Sequence, residues 1–247
     1  MVRISETNSG SNAPLRKRIA LVTGGSRGIG KAIALRLASL GADVAICGRD
    51  KEKLAEVEKT LRENETRMAA IAADVTRTSE VADLVEKVES ELGPIDLLVN
   101  NAGIGVFGPV HEKSEEEWDR LMDANLKSVF LVSRAVVPGM IRRGGGDIIN
   151  ISSLAGKNVF AGGGIYCASK WGVQGLSGCM AEELREYGIR VSTVCPGSVA
   201  TEFSGRGPKD STRVLKPEDV AHAVAMIATQ GEQSFISEVH LRPVRKA

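Results

Sequence analysis

The sequence predicts a doubly wound α/β fold, a seven-stranded parallel sheet with helices on both faces. Three observations carry that expectation. Apolar, β-branched runs of strand length alternate with longer stretches of helical period. Runs such as Ile19-Ala20-Leu21-Val22 are apolar without alternation, which means burial on both faces and a parallel sheet held between helix layers, wound right-handed. Four strand ends pass into polar or Gly-rich tracts, and in such sheets ligands collect at the carboxyl ends of the strands, where the winding order reverses.

In chain order the strands are expected at 18–23, 43–47, 67–72, 97–100, 147–152, 190–195 and 238–241. Segments 30–40 and 79–92 carry apolar residues at three-and-four spacing, and Gly41 and Gly93 stand where those helices should terminate. No internal repeat or shift in composition marks a second domain, so residues 18–247 are expected to share one core. Residues 1–17 are rich in Ser, Asn and charge and lack an apolar stretch, so they read as a frayed tail and not a signal peptide. A cytoplasmic location follows by default.

Composition narrows the partners. The hydrophobic fraction of 43% and charged fraction of 26% are those of an ordinary globular chain, with no sign of a membrane span. The net charge of +1 is spread over interspersed acids and bases, which offers no footprint for nucleic acid or anionic lipid. The basic ending 242–246 reads as a solvated terminus. Small molecules and copies of the chain remain. Cys47, Cys167, Cys179 and Cys195 show neither a CxxC pair nor metal-ligand spacing, and are expected as reduced, buried thiols with no metal.

The first strand ends in Thr23-Gly24-Gly25-Ser26-Arg27-Gly28-Ile29-Gly30. Absent side chains at Gly24, Gly28 and Gly30 permit a tight turn and close backbone approach by a pyrophosphate at the helix N-terminus. The same stretch nearly matches the triphosphate pattern GxxxxGK[ST] through Lys31, but Ala32 lacks the hydroxyl that pattern needs for Mg²⁺. Behind the second strand comes Cys47-Gly48-Arg49-Asp50, where an acid binds a ribose 2′-hydroxyl and a base accommodates a 2′-phosphate. Asp50 is open to two readings, ribose ligand or N-cap of the next helix. Arg49 precedes it, and with Arg27 it places two guanidinium groups where they can converge on a 2′-phosphate. NADP(H) is the nucleotide this predicts.

Tyr166 and Lys170 stand four apart at the start of a long helix and so share a face. An ammonium beside a tyrosine stabilises the phenolate, and a fall of a few pKa units requires roughly 3–5 kcal/mol of differential interaction. YxxxK alone is also the pattern of a solvated helix face. Ser153, at the end of the fifth strand, is placed to hydrogen-bond a substrate oxygen beside the Tyr166 hydroxyl, or equally to cap a turn. Asn125 interrupts an otherwise amphipathic helix with an amide that competes with the backbone.

With these motifs the chain resembles the short-chain dehydrogenase/reductase family, from about residue 18 to the C-terminus. The resemblance implies a single-domain Rossmann fold and assigns Asn125, Ser153, Tyr166 and Lys170 to a catalytic tetrad, with Ser153 at the family's spacing of thirteen residues before Tyr166. It implies that the 23–30 loop (Thr23, Gly24, Ser26, Arg27, Gly28, Ile29, Gly30) and Arg49 hold the cofactor, that Asp74 and Val75 meet its adenine, and that Asn100-Asn101-Ala102-Gly103 is the motif supporting the central sheet, with Asn101, Ala102 and Gly103 also at the cofactor. Pro196, Gly197, Val199 and Thr201 fall where the nicotinamide is contacted, and Tyr166 and Lys170 also touch the cofactor. The implied reaction is hydride transfer from NADPH to a carbonyl carbon while Tyr166 protonates the oxygen. Ser153 orients that oxygen, Lys170 binds the nicotinamide ribose and lowers the tyrosine pKa, and Asn125 holds a water that reprotonates Lys170. The 202–216 loop would cover the substrate.

Within the family the middle of the chain is most similar to 3-oxoacyl-acyl-carrier-protein reductases, which makes an acyl thioester a candidate substrate beside other small carbonyls or alcohols. Two features depart from that group: the ending Glu238-Val239-His240-Leu241-Arg242-Pro243 lacks a Gly-Gly segment, and Tyr187 stands where a second carrier-docking arginine belongs. Arg142 or Arg143 could supply the first, and Arg185 or Arg190 the second. Homodimers or homotetramers are expected through helices around 118–139 and 161–187. The rival class is a regulator that senses NADP(H) without turnover.

Overall fold

In β1 (Ile19–Thr23) Ala20 and Val22 point into one apolar cluster while Ile19 and Leu21 point into another. A strand sealed on both faces cannot use polar alternation, which is why its sequence is uniformly apolar. The computed structural model describes residues 13–63, 66–204 and 213–245. β2 (Asp43–Gly48), β3 (Met68–Ala72), β4 (Leu97–Asn100), β5 (Gly146–Ile151), β6 (Ile189–Pro196) and β7 (Glu238–Leu241) join β1 in the order β3-β2-β1-β4-β5-β6-β7, all parallel. Each of the seven strands lies within two residues of its sequence-derived bounds.

Helices α1 (Gly28–Ser39), α2 (Lys51–Leu61) and α7 (Pro217–Ala228) cover one face; α3 (Thr78–Glu91), α5 (Ser128–Arg143) and α6 (Gly164–Leu184) cover the other. Side chains such as Ile33, Leu37, Leu84 and Met140 are fully enclosed, each contributing roughly 1.5–3 kcal/mol of burial. The winding reverses between β1 and β4, so their carboxyl ends open a crevice.

α4 (Glu115–Met122) runs into α5 through a π turn, Asp123–Lys127. Together they form a 29-residue helical run, Glu115–Arg143, with mean hydropathy 1.2 in its most apolar window, long and apolar enough to cross a bilayer. Half of that window is buried in the protein, with Leu131, Val132, Val136 and Met140 in the core, which accounts for its apolar character.

Two expectations need correction. Residues 13–17 are not a frayed tail: Leu15 is 1% exposed in the α1–α2 cluster and its N–H donates to the Leu40 carbonyl (2.9 Å). One apolar side chain among charged neighbours was too weak a pattern to reveal this. Residues 1–12, which complete the expected tail, and 205–212, within the expected substrate loop, lie outside the described residues. Of the cysteines, Cys47, Cys167 and Cys195 are buried but Cys179 is exposed on α6, since the long apolar helix also carries a solvent-facing side.

Candidate active site

A cleft of about 1620 Å³ lies along the carboxyl ends of the strands, larger than the roughly 300–1,000 Å³ of a single small-molecule pocket. Its first wall is the Gly-rich loop. Gly24 has φ +65, and a side chain there would press on Ala102 and Asn101. A Cβ at Gly30 would fall 2.2 Å from the Gly24 carbonyl oxygen and 2.5 Å from Asn101 Nδ2, so α1 can approach β4 only as glycine. Arg27 occupies the N-cap of α1 without a side-chain cap bond, and the first turn holds no acid. Uncapped N–H groups and the positive end of the helix dipole suit a pyrophosphate.

Of the loop residues expected at the cofactor, Gly24, Ser26, Arg27, Gly28 and Ile29 line the cleft, whereas Thr23 and Gly30 lie behind it. Thr23 is 2% exposed because its hydroxyl accepts from the Asn101 and Ala102 N–H groups, both at 3.0 Å. Asn101 in turn donates through Nδ2 to the carbonyls of Thr23 (3.0 Å) and Gly24 (3.2 Å). Although Asn101 borders the cleft with Ala102 and Gly103, its amide braces the loop. The neighbouring Asn100 ties β4 to Ser133 of α5 (3.1 Å) and Asn150 of β5 (2.9 Å).

At the β2 end the two readings of Asp50 separate. Its Oδ1 accepts from the Lys53 N–H (3.1 Å) as the N-cap of α2, and Arg49 faces the cleft. Arg27 lies at the cleft too, paired with Glu202 at 3.3 Å. Both partners are mostly exposed, so the pair is worth at most about 1 kcal/mol and exchanges readily for an anionic ligand. Asp74 and Val75 form the floor beyond β3. Partial burial pushes the Asp74 pKa up, but hydrogen bonds from the Thr76 N–H and hydroxyl, with Arg49 and Arg77 nearby, outweigh it and hold the carboxyl below its ordinary range. Lys31 and Lys53 also line this end; neither was singled out for the site, although Lys31 follows the Gly-rich loop directly.

Ser153, Tyr166 and Lys170 meet on the opposite wall. Ser153 takes the capping role, its Oγ accepting from the Ala155 N–H (3.1 Å) of the short 3₁₀ turn Leu154–Gly156, and it is also hydrogen-bonded to Tyr166. Tyr166 and Lys170, 8% and 5% exposed, share one face in the first two turns of α6. Lys170 Nζ donates to the Ile151 carbonyl (3.0 Å) and lies 6.0 Å from the Tyr166 ring centroid.

Without a bound dinucleotide, burial dominates the titration of both groups. Burial pushes the Tyr166 phenol up to about 12, and the Ser153 hydrogen bond recovers only part of the rise. Burial likewise drives Lys170 down to about 8, with Cys195 acting weakly the other way. Desolvation depends on packing that spacing does not reveal, and it is the leading cause for both groups.

Asn125 does not line the cleft. It sits in the π turn, 1% exposed, and its Oδ1 accepts from the Ile104 N–H (2.7 Å) while Nδ2 donates to the Ile104 carbonyl (3.0 Å) and the Ser169 hydroxyl (3.0 Å). Both amide hydrogens are committed, so any water at Asn125 must use an acceptor oxygen. A Cβ at Gly103 would lie 2.9 Å from Asn125 Oδ1 and 3.9 Å from Lys170 Nζ, which places the three residues together.

Pro196, Gly197, Val199 and Thr201 complete the rim, steadied where the Leu215 N–H donates to the Ser198 carbonyl and the Ala200 N–H to the Leu215 carbonyl, both at 2.8 Å. Behind the rim, Cys195, Glu238 and His240 bring their ligand atoms within 4.8 Å, a grouping that separate strands concealed in the sequence. Lys157 Nζ already lies 2.9 Å from Glu238 Oε1, and its charge opposes a cation there. Phe160 and Phe203 are cleft residues that sequence reasoning did not single out; Phe107 and Phe203 lie against the Tyr166 ring, and Phe160 lies against Phe107.

Residues 18–211 match the short chain dehydrogenase family. The chain is similar to an uncharacterized oxidoreductase of Staphylococcus saprophyticus, 37% identical over 231 residues, which are 93% of this chain and 99% of that one. Among solved structures it is similar to a metagenomic short-chain oxidoreductase in complex with NADP, with 47% identity, a TM-score of 0.84, and coverage of 94% and 100% of the two chains. An alcohol dehydrogenase from the archaeon Thermococcus sibiricus, complexed with 5-hydroxy-NADP, is 30% identical with a TM-score of 0.88, covering 93% and 98%.

Proposed function

Because the chain belongs to the short-chain dehydrogenase family, we propose that it is an NADP(H)-dependent oxidoreductase that reduces a ketone or aldehyde, or oxidises the matching alcohol. The observation that carries this reading is the meeting of Ser153, Tyr166 and Lys170 on the wall facing the Gly-rich loop. The dinucleotide, when bound, supplies or accepts the hydride at the carbonyl carbon. The uncapped N-terminus of α1 holds its pyrophosphate, Arg27 and Arg49 its 2′-phosphate, Asp74 and Val75 its adenine side, and the rim from Pro196 to Thr201 its nicotinamide side.

Tyr166 delivers a proton to the carbonyl oxygen in reduction, which leaves an alcohol, and withdraws it in oxidation. Ser153 donates a second hydrogen bond to that oxygen and fixes its approach. Lys170 holds positive charge near the phenol as its proton departs. Asn125 acts as a positioning residue by clamping the backbone at Ile104 to α6. A panel of ketones, aldehydes and acyl thioesters, followed by NADPH absorbance, tests the reading; no reduction of any member would favour a non-catalytic NADP(H)-sensing protein.

The preference for NADP(H) over NAD(H) rests on Arg27 and Arg49, and the commitment of Asp50 to its cap supports it. Replacing both arginines with Ala is expected to weaken NADPH by about 10²–10⁴-fold, since each charge-assisted hydrogen bond contributes about 1.5–3 kcal/mol. NADH should change by less than about threefold. Equal losses in a fluorescence titration of the two nucleotides would refute the assignment.

A 3-oxoacyl thioester is the narrower substrate proposal, supported by the similarity of the middle of the chain to 3-oxoacyl-acyl-carrier-protein reductases. A carrier protein has less to grip. Arg143 donates to the Ile95 carbonyl, Arg190 is tied to Asp147 (2.7 Å) and the Gly231 and Ser234 carbonyls, and Arg185 pairs with Glu182 (2.9 Å). Self-association is proposed through α4, α5 and α6, where Trp118, Phe130 and Trp171 are 41%, 44% and 50% exposed. Light scattering is expected to report a dimer or tetramer, and a monomer at all concentrations would overturn that.

A further inference from the structure

The basic ending at 242–246 reads in the sequence as a solvated terminus, yet Arg242 lines the cleft. Its place there is fixed by its neighbours. The Gly197 N–H donates to the Leu241 carbonyl (2.8 Å), and a Cβ at Gly197 would lie 3.2 Å from Pro243 Cδ and 3.3 Å from Leu154 Cδ1. Arg242 stands between Leu241 and Pro243, and Leu154 directly follows Ser153. The arginine therefore starts from the catalytic end of the cleft, across Gly197 from the Ser153 turn. Pro243 also disfavours helical backbone at Arg242 and keeps the chain extended as it leaves β7.

The acids nearby are already taken. Lys157 Nζ (2.9 Å) and His240 Nε2 (3.0 Å) both meet Glu238 Oε1, Glu202 pairs with Arg27 (3.3 Å), and Asp123 pairs with Lys127 (3.1 Å). Arg242 is exposed and makes no ion pair or side-chain hydrogen bond among the described residues. A guanidinium in that state presents two parallel N–H donors to a planar carboxylate.

We propose that Arg242 binds a carboxylate on the substrate, so that the enzyme prefers keto acids, with the carboxylate set apart from the reacting carbonyl, over the matching neutral ketones. One guanidinium neutralises one carboxylate and matches its two oxygens, whereas a phosphate dianion calls for more charge than Arg242 alone supplies. The inference rests on the carbonyl-oxidoreductase reading above and adds to it the charge of the substrate.

The test compares 4-oxopentanoate, 5-oxohexanoate and 6-oxoheptanoate with their methyl esters, because a distant ester leaves the reactivity of the ketone nearly unchanged. At low ionic strength at least one acid is expected to exceed its ester in kcat/KM by about three- to tenfold, a modest ratio because the cation is exposed and screened. Arg242→Gln should bring that ratio to about one, through KM, and about 0.5 M salt should do the same to the wild type. Arg245→Gln removes an equal charge from an exposed position off the cleft and is expected to keep the wild-type ratio. Esters matching or exceeding all three acids, a ratio unchanged in Arg242→Gln, or an equal fall in both variants would overturn the subsite, while reduction of the esters leaves the oxidoreductase reading intact. A fluorescence titration in which Arg242→Gln loses NADPH affinity by as much as it loses the ratio would assign the arginine to the cofactor and overturn the proposal as well. Failure to reduce any carbonyl would instead remove the oxidoreductase reading, and the subsite with it.

Discussion

Tyr166→Phe is expected to lower kcat for carbonyl reduction by about 10²–10⁴-fold, the range for loss of a positioned general acid. NADPH affinity should stay within a few-fold, because only one hydroxyl is removed and the ring keeps its contacts with Phe107 (5.1 Å) and Phe203 (6.0 Å). Burial holds the phenol protonated up to about pH 12 in the cofactor-free site, so the acid is available for reduction throughout the ordinary pH range. Alcohol oxidation needs the deprotonated form and is expected to rise toward alkaline pH. Steady-state rates paired with a nucleotide titration check this; full reductase activity in the variant would eliminate Tyr166 as proton donor.

Lys170→Met is expected to act in two opposite directions. Activity should fall by about 10²-fold or more, since the charge beside the phenol is gone. Stability should rise, because the native fold keeps a buried ammonium whose pKa has dropped from 10.5 to about 8. A depression of that size corresponds to roughly 3 kcal/mol of penalty, part of which Met recovers as apolar volume. The sign with pH follows from proton counting. Between about pH 8 and 10.5 the unfolded chain holds a proton that the folded one lacks, so wild-type stability gains from this residue as pH rises through that window. Below about pH 8 the penalty is present in full. The stabilisation by Met should therefore be largest at neutral pH and fade in alkali, and thermal melts at several pH values measure it. A variant melting below wild type at pH 7 would contradict the account. The kcat/KM of wild-type reduction should also decline above about pH 8, as Lys170 loses its charge.

The strands were legible because a doubly covered parallel sheet favours near-continuous apolar runs, as at Ile19–Val22 and Leu97–Val99. The start of α1 was less so: the helix begins at Gly28, inside the glycine tract that local propensity assigns to the turn. Asn125 was visible as an amide out of place in an amphipathic helix, but the π turn that carries it was not, since a wide turn leaves no separate mark in the pattern. The division of labour within the Gly-rich loop was also hidden. Thr23 and Gly30 serve packing and Gly28 borders the cleft, a difference set by which side β4 approaches from. The pKa values of Tyr166 and Lys170 and the gathering of Phe107, Phe160 and Phe203 depend on segments far apart in sequence, beyond the reach of any local spacing.

The placement of the two ends of the described chain bears on how the protein is handled. Ala13 packs beside Gly41, in the connection between α1 and β2, at the amino-terminal ends of the strands and away from the cleft. Pro243 leaves β7 at the cleft edge, where its ring is 3.2 Å from the position a Cβ would occupy on Gly197, and Arg242 lines the cleft itself. The described chain thus enters on the side of the sheet opposite the catalytic face and leaves β7 beside the cleft, so a bulky group joined directly after Arg245 is the one expected to raise the KM for substrate.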